Sequence, residues 1–510
     1  MNRRAWTVLV LAVSCAGQGP APYDERFRPQ YHFSPRQNWT NDPNGLVYFD
    51  GEYHLFYQYN PFGDRWGHMS WGHAVSGDLL HWRELPVALP EENGIMIFTG
   101  STVVDRQNSS GLCTGGRPCL IAVYTGHTPP APGRAALETQ NIAYSNDRGR
   151  TWTKYAGNPV LDLGMADFRD PHVFWSEAAR AWTMAVALPG QHKVLIYRSA
   201  DLKRWQRVSE FGPAGATGGQ WECPTLAEVP VEGRAGASRW VLKVGLNPGG
   251  LQGGSGEQYF AGSFDGTRFI NENPPATTLW TDYGKDCYCA LPFNGSPPGA
   301  APVMLGWMNN WQYAGDVPTK PWRGQMTIPR RLQLKQTAEG LRLAQEPVDL
   351  ESLRGAEFAW RGSDAASLNR ALRDKGPRGT SWELRAKVRP GAAGEVGWRV
   401  LSGEGKYTLV GYNAAGGEFF VDRTHSGDTG FQRDFPARTT VKRPANGTLD
   451  FVILADRSTL EVFAQGGLVA ITTLVYPPPE ARAVEFSAEG GPPAEIRVQA
   501  WELATTWPRF

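Results

Sequence analysis

One short pattern returns four times along the first half of the chain. Ser76-Gly77-Asp78-Leu79-Leu80-His81-Trp82 recurs as Ser145-Asn146-Asp147-Arg148-Gly149-Arg150-Thr151-Trp152, as Ser199-Ala200-Asp201-Leu202-Lys203-Arg204-Trp205, and more weakly as Ser263-Phe264-Asp265-Gly266-Thr267-Arg268-Phe269. Ser-x-Asp marks a tight turn, because both side chains can bond nearby backbone N–H groups. The closing aromatic is large enough to fill a gap between packed sheets. Strand-forming runs precede each turn. Residues 46–49, 53–59 and 71–75 form one unit around an Asp50-Gly51 hairpin; 103–104, 119–124 and 141–145 form a second. A third covers 172–175, 181–187 and 194–199, and a fourth 225–229, 240–245 and 258–263. A fifth, without the turn motif, covers 288–293, 303–308 and 324–334. Units of three or four strands cannot bury both faces alone and must stack radially. The expectation is an all-β chain with a five-bladed β-propeller over 27–340. A flat sandwich of long strands is the rival that the repeat disfavours.

Residues 341–376 hold the most helix-like sequence and read as a linker. Alternation then returns at 382–388, 396–401, 407–412, 418–422, 449–454, 459–463, 468–474 and 496–501. Eight such runs predict a C-terminal β-sandwich over 377–510. The 59 Gly and 39 Pro supply the turns that so many strands need.

Net charge is +1 and the Lys and Arg are dispersed, so nothing supports a nucleic-acid partner. No apolar run is long enough for a transmembrane helix. Residues 1–22 read as an export signal: a basic Asn2-Arg3-Arg4, an apolar Ala5 to Val13, then Ala12-Val13-Ser14-Cys15, similar to a bacterial lipobox. Export and a lipid anchor at Cys15 are expected, the bland alternative being a buried strand. Cys113 and Cys119 can pair across a short loop in an oxidising compartment. Cys287 and Cys289, two apart on a strand, should face one side and are read as packing. His32, His54, His68, His73 and His81 are read as aromatic-like strand and turn residues. No Cys/His spacing suggests a metal, and no cofactor is expected.

Acids stand near the start of three units: Asn41-Asp42-Pro43-Asn44-Gly45, Phe168-Arg169-Asp170-Pro171 and Trp221-Glu222-Cys223-Pro224. Each is read as preceding an innermost strand, at corresponding places, so that three carboxylates converge at one mouth of the channel. Converging carboxylates repel, and one tends to keep a proton. Glycoside hydrolysis needs such asymmetry, with one acid for the leaving oxygen and one ionised partner. Glu222, flanked by Trp221 and Cys223, is placed among less polar neighbours as the acid. Asp42, flanked by Asn41 and Asn44, is placed among donors that hold it ionised.

These motifs resemble glycoside hydrolase family 32, the invertases, inulinases and levanases. Trp39-Thr40-Asn41-Asp42-Pro43-Asn44-Gly45 is similar to its WMNDPNG box, and Phe98-Thr99-Gly100-Ser101 to its FSGS box. Arg169-Asp170-Pro171 is similar to its RDP box, and Glu222-Cys223-Pro224 to its EC box. Asp282 to Cys289 resembles DxGxDxYA with Cys289 where Ala is usual, and Ala455 to Phe463 resembles the family's sandwich signature. The resemblance implies a retaining β-fructosidase. Asp42 is then the nucleophile, Glu222 the general acid and base, and Asp170 a transition-state stabiliser acting through fructosyl hydroxyls. Cys223 is expected to tune its neighbour. Asn41, Gln58, Trp66, Phe98, Thr99, Arg169 and Trp311 match positions that hold the terminal fructosyl unit, with Trp307 a close alternative to Trp311. Retention implies Asp42 and Glu222 carboxyls roughly 5–5.5 Å apart.

The run Trp307 to Tyr313 with Trp322 to Met326 looks closer to microbial exo-levanases and exo-inulinases than to invertases. The expected substrate is therefore a β-fructan, with sucrose also cleaved. A sucrose-preferring invertase is the runner-up, and an inverting arabinanase or xylosidase is weaker. A noncatalytic fructan-binding protein is disfavoured because all three acids are present. Among the 20 Trp, Trp82, Trp152 and Trp205 are assigned to scaffold, and Trp39, Trp66, Trp221 and Trp311 to the substrate.

Overall fold

The computed structural model describes residues 22–296, 300–445 and 447–508. The expected export segment and Cys15 fall on residues 1–21 and so lie outside the described residues. Among the described residues no helix is long and apolar enough to cross a membrane.

Five antiparallel sheets follow one another along the chain. Their first strands are Asn38–Phe49, Met96–Asp105, Arg169–Ser176, Gln220–Pro230 and Tyr288–Pro292. Each of these strands contacts the first strand of the next sheet, and the last contacts the first, so the first strands surround a common axis. The short strand Trp322–Arg323 pairs in parallel with Asn38 and Trp39, tying the end of the propeller to its beginning.

The four repeated turns are built as their chemistry dictates. Asp78 Oδ1 accepts from the Leu80 and His81 N–H groups, and Asp147 Oδ1 from Arg150 and Thr151. Asp201 accepts from Lys203 and Arg204, and Asp265 from Thr267 and Arg268. Trp82 and Phe269 are buried at the turn ends, while Trp152 and Trp205 are half-buried and donate to Gly149 and Leu202 carbonyls.

The stretch 341–376 is not a separate linker. Gly340–Pro347 is the last strand of the fifth sheet, pairing with Arg330–Thr337. Arg354–Gly362 pairs with Glu495–Leu503 in the sandwich, and the helical parts are a 3-10 turn at Glu351–Leu353 and the α-helix Ala365–Lys375. The helix-like pattern was local. Asp364 caps that helix by accepting from the Ala366 and Ser367 N–H groups. Sheets of six and five strands make the sandwich, so strands Arg354–Gly362, Arg438–Lys442 and Ala483–Glu489 join the eight expected.

Buried charge joins the two halves. Arg330 donates to Asp282 at 2.7 Å and to Glu461 at 3.0 Å, and Asp282 also accepts from Thr472 Oγ1 at 2.6 Å. Asp286 accepts from the Leu474 N–H at 2.8 Å and from Arg423 and Tyr313. His32 stands between Asp456 at 2.9 Å and Glu461 at 3.0 Å. The acids of the fifth propeller motif and of the sandwich signature therefore fasten the domains together. His32 is an ion-pair partner rather than an aromatic-like filler. His54 and His73 form a buried pair at 3.1 Å, whereas the exposed His68 and His81 pair with Glu91 and Asp78.

Candidate active site

All five first strands carry the same irregularity. Each gains one extra residue relative to its neighbour, between Thr40 and Pro43, Ile97 and Gly100, Arg169 and His172, Glu222 and Thr225, and Tyr288 and Leu291. A β-bulge of this kind unpairs a residue, bends the strand and re-aims its side chains. It also accommodates Pro, which has no N–H for a ladder. Pro43, Pro171 and Pro224 all lie at the bulges, which explains why each acid has a nearby proline. The acid motifs therefore lie inside the innermost strands rather than before them. Nor are the acids at corresponding places: Glu222 stands at the first bulge position, Asp170 at the second and Asp42 at the third. One local distortion thus sends three carboxyls toward one space from three sheets.

All ten residues singled out in the sequence line one open cavity of about 560 Å³: Asn41, Asp42, Gln58, Trp66, Phe98, Thr99, Arg169, Asp170, Glu222 and Trp311. Trp66 is 46% exposed at its rim. Trp311 also faces it, while Trp307 is fully buried. Trp39 and Trp221 are scaffold instead. Trp39 packs against Trp311 with ring centroids 5.8 Å apart and donates to Asn41 Oδ1 at 2.7 Å. Trp221 is wholly buried.

Asp42 Oδ2 accepts from Thr99 Oγ1 at 2.9 Å, and among the described residues none donates a hydrogen bond to its buried Oδ1. Burial pushes its carboxyl up to about 6. The Asn41 side chain opposes this, the Glu222 charge adds to it, and Thr99 opposes it. Asn41 and Thr99 thus soften the effect of burial without overcoming it, so the flanking residues do not hold Asp42 ionised as the sequence suggested. Asp170 is also driven well above the ordinary carboxylate range by burial, against the pull of Arg169. Its Oδ2 accepts from the Cys223 N–H at 2.9 Å.

Glu222 is not among apolar neighbours. Its Oε1 accepts from Arg169 Nη2 at 3.0 Å and Nε at 3.2 Å. Its Oε2 accepts from the buried Tyr288 hydroxyl. Arg169 also reaches Glu138 at 3.2 Å and Asp167 at 2.9 Å. His127 pairs with Glu138 at 3.1 Å and stacks on Phe98 at 4.4 Å.

Glu138, Asp167, His127 and Asn247 line the cavity, and Tyr288 backs it, yet none was singled out in the sequence. Tyr288 lay within a matched motif. Asp167 adjoins the Phe168 to Pro171 motif, whereas Glu138, His127 and Asn247 sit in stretches with no motif, and only folding brings them together.

Sequence reasoning also missed a bond. Cys223 and Cys289 form a disulfide, with Cα atoms 5.4 Å apart. Cys287 remains a free buried thiol and packs with a different cluster, because the bulge breaks the two-residue alternation. Cys113 and Cys119 are paired as expected.

Carboxyls converging on an aromatic-rimmed polar cavity in a propeller define a carbohydrate-processing site. Residues 32–347 match the glycosyl hydrolases family 32 N-terminal domain, and residues 349–502 match its C-terminal domain. The chain belongs to this family and is a glycoside hydrolase with a propeller and a β-sandwich. It is 48% identical to a levanase of Bacillus subtilis (strain 168), over 95% of this chain and 72% of that one. An extracellular exo-inulinase of Aspergillus awamori is 39% identical, over 95% and 96% of the two chains. The exo-inulinase crystal structure from that fungus superposes with a TM-score of 0.87 at 37% identity, covering 95% of this chain and 100% of that one. A fructofuranosidase variant of Schwanniomyces occidentalis, complexed with fructosylnystose, gives 0.85 at 30% identity over 95% and 99%.

Proposed function

We propose that the protein is an exported, retaining exo-β-fructosidase. It removes terminal fructosyl units from levan- or inulin-type fructans and also cleaves sucrose. The observation that carries this reading is the convergence of Asp42, Asp170 and Glu222 on one open cavity. The levanase and exo-inulinase relatives support the substrate class.

In this reading five blades carry the pocket. Asp42 Oδ1, which accepts no hydrogen bond from the described residues, attacks the anomeric carbon while Thr99 holds the other oxygen. The leaving oxygen takes a proton from Glu222, whose side chain is 19% exposed against the buried Asp42 and Asp170. Repulsion among the three carboxyls favours one proton retained within the cluster. Water activated by Glu222 then releases fructose with retained configuration. Asp170, Asn41, Gln58 and Arg169 are placed to hold sugar hydroxyls, and Trp66 and Trp311 to flank the ring. The pocket mouth, rather than the acids, decides between polymer and sucrose. The propeller ends and the sandwich begins near residue 348, between the two matched domains.

A product time course on levan, inulin and sucrose tests the reading. Fructose alone at early times from the polymers supports exo attack. Mixed oligomers from the polymers, or release from sucrose only, contradict it.

A further inference from the structure

Cys223 touches all three acids. Its N–H donates to Asp170 at 2.9 Å, its sulfur lies 3.8 Å from Asp42 Oδ2, and its peptide group adjoins Glu222. Because the sulfur is bonded to Cys289, it has no proton to give, and the approach to Asp42 is packing rather than a hydrogen bond. The bond joins the same bulge position in the fourth and fifth sheets. Cys223 has φ of +48° and Cys289 of +47°, a region that side-chain-bearing residues seldom adopt. One step earlier in each strand stand Glu222 and Tyr288, which are hydrogen-bonded to each other. Among the described residues no named strand of one sheet pairs with a named strand of the other, and a single parallel bridge, Val231 with Leu334, joins them beyond the end of Gln220–Pro230. At this level the disulfide and the Tyr288–Glu222 bond are successive rungs between them.

We propose that the Cys223–Cys289 disulfide is a positioning element of the catalytic centre. It holds the bulge that aims Glu222, presents the Cys223 N–H to Asp170, and keeps Glu222 in register with Asp42 and Tyr288. This rests on the reading of the three acids as catalytic. A staple serving stability alone has no reason to sit where all three carboxyls meet.

The test uses Cys289→Ala, alone and combined with Tyr288→Phe, in the full chain. Non-reducing peptide mapping of active wild type should yield one linked peptide pair containing Cys223 and Cys289. In folded Cys289→Ala, kcat on sucrose and levan should fall about 10- to 100-fold, as expected when reacting groups move by about an ångström. KM should stay within about threefold, since the loss falls on the transition state. Tyr288→Phe should lower kcat less in the Cys289→Ala background than in wild type, because both changes act through Glu222. Unchanged kcat in folded Cys289→Ala, additive losses, or free Cys223 and Cys289 thiols in active wild type each overturn the proposal. Should Cys289→Ala not fold, Cys223→Ser with Cys289→Ser supplies the same comparison. Wild type that releases no fructose overturns instead the functional reading on which the proposal stands.

Discussion

His32 predicts how the stability of the protein depends on pH. Its side chain is wholly buried between the equally buried Asp456 and Glu461. Burial alone disfavours the imidazolium, but hydrogen bonds to Asp456 and Glu461 reverse this and raise its pKa from 6.5 to about 9. At about 1.4 kcal/mol for each pH unit, the folded state gains about 3 kcal/mol from the protonated ring. A group raised on folding stabilises fully below its unfolded value and loses that contribution as pH climbs through its folded value. The window is therefore pH 6.5 to about 9. The perturbation is His32→Gln, which fills similar space without titrating. Urea unfolding of both proteins, followed by tryptophan fluorescence at several pH values, provides the assay. Wild type should exceed the variant most near pH 6, and the gap should narrow by about 3 kcal/mol by pH 9–10. A gap that stays constant across the window refutes the ion-pair account of His32.

Asp42→Ala should lower fructose release by at least about 1,000-fold while the chain stays folded, as the loss of a nucleophile does; steady-state kinetics and circular dichroism check this. The Asp42 carboxyl must be ionised to attack and is held at about 6, so activity should rise as pH passes that value. Thr99→Val removes a hydroxyl donor that favours the ionised form, and should move this acid limb upward by about one pH unit. Arg330→Met leaves Asp282 without its buried cation and Glu461 with His32 alone, and should destabilise by about 3–5 kcal/mol, read as a lower unfolding midpoint. Trp66→Ala should raise KM for fructan with a smaller change in kcat, because an exposed ring at the rim contributes binding rather than chemistry.

The three acid motifs were legible because backbone geometry wrote itself into the sequence. A bulge that cannot use an N–H tolerates proline, and the residues beside it are those whose side chains are re-aimed into the cavity. Asp42-Pro43, Asp170-Pro171 and Cys223-Pro224 are traces of that geometry. Their exact stagger was not legible, since it depends on pairing with strands of different sequence. The Cys223–Cys289 bond was hidden for the same reason. Strand parity placed Cys287 and Cys289 together, and one bulge residue separated them. Glu138 and His127 line the pocket beside Arg169 and Phe98, Glu138 reaching Arg169 from the neighbouring sheet and His127 stacking on Phe98 from the next strand, contacts that no local pattern encodes. The fifth motif and the sandwich signature were legible as motifs, but their structural role was not. Asp282, Asp286, Asp456 and Glu461 meet their partners across the domain boundary.

The central claim is that Asp42 forms a covalent fructosyl intermediate which Glu222 then resolves. Glu222→Gln, supplied with a β-fructosyl fluoride, needs no protonated leaving group but cannot activate water for the second step. Peptide mapping of that variant after an acid quench should find the mass of one fructosyl unit on the peptide containing Asp42. Label on a different carboxylate, or turnover to α-fructose with no label, contradicts the account.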